Sequence, residues 1–295
     1  MANFTDDDIL RLDERFAEEN IPFHARPFRA AVEILGYQFV LGVGGDPQVM
    51  EIIRAYERLI PEVAFTWPGM GTGLVSSVDR VKKVRVGVSF GRNQITVARG
   101  LGFSSDENWI AWCRGDSEIL ARSAFAFADM CDLVYGVDNR TKENSDNAYV
   151  KWGLGAGHLE VVANHLSQSG KIDSPILQSV CLTVELAIKG TLLHLGLAEK
   201  DLKNPKLFGH NLSKLAERMA EDCTHRDDPF LLSAVAKFPE YVGGRYTTTP
   251  LNRREIIALA LDAQFVAASA VRRISGVDMA KQVEEAEGAR GNFFS

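Results

Sequence analysis

The chain has 295 residues, a net charge of -6 and 46% hydrophobic residues. This length suffices for two ordinary domains or one large one, and the apolar content excludes a largely disordered protein. The negative charge balance argues against a protein that coats nucleic acid through its overall charge, although it permits a local basic patch. No run approaches the roughly 18 apolar residues of a membrane-spanning helix, and the acidic start lacks the features of a signal peptide. We therefore expect a cytoplasmic protein with no membrane partner.

The first sixty residues predict three helices. Thr5 can cap a helix, and the apolar stripe that follows predicts a helix over 6–19. A second helix is predicted from residue 27 towards 40, where a glycine-rich segment ends it. Asp46 and Pro47 then provide a cap and a first helical residue, which predicts a third helix reaching residue 60.

A change of pattern between residues 62 and 103 predicts a small sheet. Apolar side chains alternate with arginine, glycine and serine over 84–90, which is the period of a half-buried strand. The turn-forming residues 91–93 and the apolar residues at 95 and 97 predict a hairpin with its returning strand downstream. Helices are expected to open at 105–107 and at 116–117. Residues 1–137 are thus predicted to form an α+β domain of unknown role.

The remaining chain predicts a helical bundle. Residues 138–147 contain few apolar and many turn-forming side chains, which indicates a linker. Four or five helices follow within 148–280, and their short connections favour antiparallel packing; residues 281–295 are expected to be a tail. The predicted fold is therefore mainly α, with a C-terminal antiparallel helical bundle preceded by helices and a small β-hairpin or sheet. Gly153 and Gly157 weaken the first bundle helix, so we expect another helix to approach them closely.

The segment 174–215 carries the most specific motifs of the chain. Glu185, Leu186 and Lys189 form the pattern E-L-x-x-K, and Gly209, His210, Leu212 and Leu215 form G-H-x-L-x-x-L. Through these motifs residues 146–276 resemble the HEPN (higher eukaryotes and prokaryotes nucleotide-binding) superfamily. The resemblance implies a homodimer that binds RNA or a nucleotide. It also implies a substrate site shaped by Glu185, Lys189, His210 and Arg245, the last within an aromatic-basic element at 241–246.

The same residues have a plainer interpretation. Glu185 and Lys189 are spaced as an i,i+4 pair, which stabilises an exposed helix by about 0.2–0.5 kcal/mol. His210 follows Gly209 where the chain enters a helix, so its ring could close off free backbone amides or pack against a neighbour. A salt pair and a structural histidine therefore remain an alternative to a substrate site.

A second motif concerns catalysis. Ribonucleases of the HEPN superfamily use an arginine and a histidine separated by four to six residues, and Arg218 with His225 matches this spacing. The resemblance implies a metal-independent endoribonuclease of defence or toxin type without a cofactor, in which His225 moves a proton and Arg218 stabilises phosphate charge. Met219 departs from the family pattern, since a polar residue usually follows the arginine.

Two other functions stay open. The chain could be a non-catalytic dimeric protein that binds a partner or ligand and uses the helical bundle for assembly. It could also be an enzyme whose site lies in the N-terminal region around His24, Arg26 and Trp67.

A basic segment of the predicted sheet has two interpretations. Lys82, Lys83 and Arg85 lie on or beside the predicted strand, and Arg92 follows it. Cations on a strand beside aromatic residues can contact phosphate or RNA bases. A solvated face of the sheet would present the same residues without any ligand.

Cysteine spacing predicts neither a metal site nor a disulfide framework. Cys113, Cys131, Cys181 and Cys223 are far apart and form no C-x-x-C pair. We expect them to be reduced residues with a structural role.

Overall fold

The computed structural model describes residues 4–39, 46–88, 95–139, 146–168, 174–241 and 251–290. Within these ranges the protein is mainly helical with one two-stranded antiparallel sheet, which confirms the predicted fold class. The chain divides into two units, residues 1–68 and residues 69–295. None of the helices described in these ranges is long and apolar enough to pass through a bilayer.

The first unit contains three helices: α1 (Asp6–Glu18), α2 (Arg26–Leu35) and α3 (Pro47–Leu59). Thr5 and Asp8 form a reciprocal capping box at the start of α1, and Asp46 caps α3, as predicted. These helices enclose their own apolar core of Ile9, Phe16, Ala30, Ala31, Leu35, Ile52, Ala55 and Tyr56. The glycine-rich segment that was predicted to end the second helix lies outside the described residues.

The hairpin differs from the predicted one in its partner strand. Strand β2 (Arg80–Val86) pairs antiparallel with β1 (Gly71–Ser77), which precedes it, so the prediction of a returning strand downstream was wrong. The segment at 97 begins a helix instead. Strand β1 shows no alternation of apolar and polar residues in its sequence because nearly all of its residues are buried. A Cβ at Gly73 would lie 2.7 Å from the Met130 side chain, so the packed helix leaves room for glycine only.

Three helices connect the hairpin to the bundle: α4 (Val97–Gly100), α5 (Asp106–Trp112) and α6 (Ser117–Asp138). Ser105 caps α5 and Asp116 caps α6, which confirms both predicted starts. The predicted turn at 91–93 lies outside the part of the chain that the structure describes.

Seven further helices complete the second unit: α7 (Asp146–Ser167), α8 (Leu177–His194), α9 (Glu199–Lys203), α10 (Leu212–Asp222), α11 (Asp228–Val235), α12 (Arg253–Ser275) and α13 (Met279–Glu287). The five predicted bundle helices correspond to α7, α8, α10, α11 and α12. Helix α7 packs along α8, and α12 packs against both α6 and α8. The short helices α9 and α13 were not predicted, and α13 occupies much of the predicted tail.

The apolar core of the second unit extends across the predicted domain boundary. Leu74 of β1, Val84 of β2 and Met130 of α6 belong to the same buried cluster as Leu159 of α7 and Val184 of α8. The hairpin and α6 therefore pack with the bundle, and the division at residues 68 and 69 differs from the predicted one at 138–147. Most of that predicted linker lies outside the described residues.

The close approach between α7 and α8 uses different glycines from those expected. A Cβ added at Gly153 or Gly157 would have open space around it, so that prediction was wrong. A Cβ at Gly155 would instead lie 3.3 Å from the Thr183 carbonyl oxygen, and one at Gly190 would lie 2.5 Å from the Trp152 ring. Gly155 and Gly190 thus bring the two helices together, while the other two glycines lie on the exposed face of α7.

Candidate functional site

A buried carboxylate, that of Glu185 on α8, forms the centre of the candidate site. The Lys189 ammonium donates to it at 2.7 Å, the His210 Nδ1 atom lies 3.0 Å from its Oε2, and the Tyr241 hydroxyl also donates to it. We call these four residues the Glu185 cluster. The structure thereby brings together three of the predicted substrate-site residues and adds Tyr241, which was not predicted.

The hydrogen bonds keep Glu185 ionised. Burial alone would raise the pKa of this carboxyl group, but the donors Lys189, Tyr241 and His210 together hold the pKa below its ordinary value. Both carboxylate oxygens accept hydrogen bonds and the side chain is buried, so Glu185 acts on its neighbours rather than directly on a ligand.

Local geometry explains how the sequence places these side chains. Glu185 and Lys189 are four residues apart on α8, which puts them on one face of the helix. Gly209 has a φ of +54°, and a Cβ there would lie 2.9 Å from the Pro205 Cα, so a glycine is required at this turn. The turn delivers His210 just before Asn211, which caps α10 through the Lys214 N–H.

The imidazole of His210 joins the buried cluster to the surface. Its side chain is 53% exposed, whereas that of Glu185 is 5% exposed. Because Nδ1 faces the ionised carboxylate, that nitrogen carries the proton in the neutral ring, and Nε2 is left with a lone pair for a ligand. A carboxylate that fixes the tautomer and orientation of an imidazole is an arrangement suited to proton transfer.

A cleft of about 440 Å³ lies beside His210. Its apolar and aromatic lining consists of Pro205, Phe208, Leu212, Val235, Ala236, Phe238, Pro239 and Tyr241. Asn211, Ser213 and the acidic Glu240 add polar groups to the lining. We call this the aromatic cleft. Its size and its combination of rings with a few polar groups are typical of small-ligand sites.

The predicted catalytic pair does not form a unit in the described part of the chain. Arg218 is 41% exposed and donates to Asp222 at 2.7 Å within α10. His225 lies beyond the end of α10, is 16% exposed, and accepts the Asp227 N–H on Nδ1 at 3.2 Å. The hydrogen bonds of the two residues therefore lead to different partners. Arg245 falls outside the described residues.

His225 instead adjoins a second buried group of charges. Arg272 is completely buried and donates to Asp129 and Asp132 at 2.7 and 2.8 Å, and also to Asp227. Arg290 donates to Asp129 as well. We call these five residues the Arg272 network. Burial would raise the pKa of Asp227, but its contact with His225 and the charge of Arg272 hold the pKa below its usual range.

Among the N-terminal residues singled out from the sequence, Arg26 has structural contacts. Arg26 donates to Asp13 and to the Ile21 carbonyl and lies over the Phe23 ring, so it ties the start of α2 to α1. The side chain of Trp67 is half exposed.

Sequence reasoning missed Tyr241 and the cleft lining, because these contacts join α8, α10 and the segment after α11. The aromatic residue at the start of 241–246 was a signal for Tyr241, but no spacing rule connects it to Glu185.

The described residues contain no group of three or more histidine, cysteine or acidic side chains that could hold a metal ion. The cysteines are free, and burial raises the pKa of Cys131 and Cys181 to about 12.

Comparisons of this chain with protein-family models, with curated proteins and with solved structures found no match.

Proposed function

We propose that this chain is a HEPN-like protein that binds RNA or a nucleotide at the aromatic cleft. The observation that carries the proposal is the half-exposed imidazole of His210, held by the buried Glu185 carboxylate at the rim of a cleft lined by aromatic rings. Aromatic rings stack on nucleobases, and unstacked bases of single-stranded RNA are commonly recognised in this way. The motifs around Glu185 and His210 independently resemble those of the HEPN superfamily.

RNA cleavage without a metal is the catalytic form of this proposal. It needs a group that removes or supplies a proton and a cation that stabilises phosphate charge. The predicted pair of Arg218 and His225 has the residue types for both roles. The geometry favours His210 for the proton, because its half-exposed ring lines the cleft while His225 is largely buried beside Asp227.

A cleavage and binding assay tests the proposal. Full-length protein is incubated with total RNA in EDTA, and binding of AMP and of a short single-stranded RNA is measured by calorimetry. His210→Ala and His225→Ala serve as variants, with Arg218→Ala beside them. EDTA-resistant cleavage that His210→Ala abolishes supports chemistry at the aromatic cleft. Cleavage that only His225→Ala and Arg218→Ala abolish supports the predicted pair.

Binding without cleavage also has a defined meaning. If AMP or RNA binds the wild type and His210→Ala weakens that binding at least about tenfold, the chain is a non-catalytic nucleotide-binding protein of the proposed kind. A wild type that neither binds nor cleaves contradicts the proposal.

The alternative, a non-catalytic dimeric interaction protein, has a separate supporting observation. Val150, Leu154 and Val161 are each at least half exposed and lie on one face of α7, with Gly153 and Gly157 between them. This face is self-complementary. In an antiparallel pair of α7 helices, Val150 would meet Val161 of a second copy and Leu154 would lie over Gly157.

Light scattering of the eluting protein tests this alternative. A wild-type dimer that Leu154→Glu converts to a monomer supports assembly through α7. Leu232→Glu, at another exposed leucine, is the matched control and should leave the dimer intact. A monomeric wild type contradicts the alternative.

A further inference from the structure

Strand β2 is the most basic segment of secondary structure described in this acidic protein. Its seven residues include Arg80, Lys82, Lys83 and Arg85 and no acidic residue. Arg80 and Arg85 are exposed, and the two lysines are partly exposed. Because side chains alternate along a strand, Arg80 and Lys82 share one side of β2, and Lys83 and Arg85 share the other.

The contacts of Arg80, Lys82 and Lys83 are to neutral groups. Arg80 donates to the Trp112 carbonyl at 2.7 Å and to the Ser77 hydroxyl at 3.1 Å. Lys82 lies over the Phe103 ring at 5.0 Å, and Lys83 donates to the Asn164 amide oxygen at 2.7 Å. Within the described ranges, none of their hydrogen bonds or ion pairs reaches a carboxylate.

Many other arginines in the described residues pair with carboxylates instead. Those paired with carboxylates are Arg11, Arg15, Arg26, Arg58, Arg218, Arg226, Arg272, Arg273 and Arg290. A carboxylate cancels much of the field of a nearby cation, whereas a carbonyl, an amide or a ring holds the cation in place and leaves its charge available. Strand β2 therefore presents positioned positive charge within a protein whose net charge is -6.

Aromatic rings stand beside this charge. The guanidinium of Arg80 lies 5.8 Å from the Trp112 ring centre, and Lys82 adjoins Phe103, which is itself packed on Trp112. Both rings are partly exposed. Cations that follow a strand next to accessible rings are the arrangement with which proteins bind single-stranded nucleic acid, since phosphates meet the cations and bases meet the rings.

We propose that the side of β2 that carries Arg80 and Lys82 forms, with the adjoining rings of Phe103 and Trp112, a surface that holds the sugar-phosphate backbone of single-stranded RNA. This inference rests on the proposed function, because it supplies the backbone contacts for an RNA of which the aromatic cleft would take a base. The β2 surface uses different residues from the aromatic cleft, and its binding should depend differently on salt concentration. Backbone neutralisation releases counterions and therefore depends on salt, while base stacking in a cleft depends on it much less.

Fluorescence anisotropy of a labelled single-stranded RNA across a series of salt concentrations provides the test. The variant is Arg80→Gln/Lys82→Gln. The control is Arg11→Gln/Arg15→Gln, which removes two positive charges that carboxylates already compensate. Each phosphate contact with a single strand contributes about 0.7 to the slope of log Kd against log salt. The β2 variant should lower that slope by about 1.4 and weaken binding about tenfold, and the control should change neither appreciably.

The outcomes separate the two proposals. If the wild type binds RNA and the β2 variant keeps its salt dependence, the inference about β2 is overturned while the aromatic cleft stands. If the wild type binds no RNA, the inference about β2 is overturned, and the aromatic cleft stands only if AMP binds there. Phosphatidylserine vesicles are the remaining probe. If the wild type binds no RNA but sediments with these vesicles, and the variant does not, β2 binds an acidic membrane surface and the inference is overturned. Matching unfolding midpoints establish that the variants fold.

Discussion

Two buried groups of charges in the second unit differ in the sign of the central group and in their access to solvent. The Glu185 cluster places one carboxylate among three donors, and one of those donors, His210, is half exposed beside a cleft. The Arg272 network places one guanidinium among Asp129, Asp132 and Asp227, and the side chain of Arg272 is wholly inaccessible. The first group reaches solvent through an imidazole, and the second is closed.

The difference in access separates a candidate binding site from a structural one. A closed network of charges can only hold helices together, because no ligand reaches it. The Arg272 network joins α6, α12 and the start of α11 in this way. The Glu185 cluster also links elements, but it fixes an imidazole whose second nitrogen remains available. Substitutions in the Arg272 network should therefore lower mainly the free energy of unfolding, whereas a substitution of His210 should lower mainly the affinity for a ligand.

The largest effect is expected for Arg272→Met. Removing the guanidinium leaves the carboxylates of Asp129, Asp132 and Asp227 buried with much less compensation, which typically costs about 3–5 kcal/mol of unfolding free energy. Urea denaturation measures this loss. Arg218→Met, which breaks an exposed pair with Asp222, is the matched control and should change the unfolding midpoint little. An equally small change in Arg272→Met would mean that the network is dispensable for folding.

The features that could be predicted from the sequence are helix caps and helical pairs, because each depends only on residues a few positions apart. The caps at Thr5, Asp46 and Asp116 follow from a side chain and the backbone two or three residues later. The pair of Glu185 and Lys189 follows from helical spacing. Strand β1 escaped prediction because its burial on both sides removes the alternation by which a strand is recognised in sequence.

The candidate site shows the same limit. Family motifs indicated His210 near Glu185, although the two residues are 25 positions apart. Tyr241 is 56 positions from Glu185, and the Arg272 network spans up to 161 positions, so both depend on the path of the whole chain. The spacing of Arg218 and His225 does not determine their hydrogen bonds: Arg218 donates to Asp222 on α10, and His225, beyond the end of that helix, accepts the Asp227 N–H.

A smaller effect, with a characteristic pH dependence, is expected for Glu185→Gln. At neutral pH the substitution removes the negative charge that pairs with the Lys189 ammonium and weakens the hydrogen bonds from Lys189 and Tyr241, at a cost of about 2 kcal/mol. The pKa of Glu185 is lowered in the folded protein, so its stabilisation is complete above the ordinary glutamate pKa of about 4.3 and is lost as the pH falls through the folded value. The difference between wild type and variant should therefore shrink on acidification.

Urea titrations at pH 7 and at successively lower pH values between about 5 and 3 measure this dependence. Lys189→Met is the companion variant, since it removes one donor and leaves the carboxylate in place. A constant difference between wild type and Glu185→Gln at every pH would show that Glu185 is not the ionised centre of the cluster.

The smallest effect on stability is expected for His210→Ala, and this variant sharpens the comparison most. The imidazole is 53% exposed, so its hydrogen bond to Glu185 contributes less than about 1 kcal/mol to folding, and Lys189 and Tyr241 still neutralise the carboxylate. Binding of AMP or RNA at the aromatic cleft should nevertheless fall at least about tenfold. Calorimetry and urea denaturation on the same preparation measure both quantities. A loss of stability as large as that of Arg272→Met, with binding unchanged, would make the Glu185 cluster a second structural network, because an imidazole that serves a ligand must be replaceable without loss of the fold.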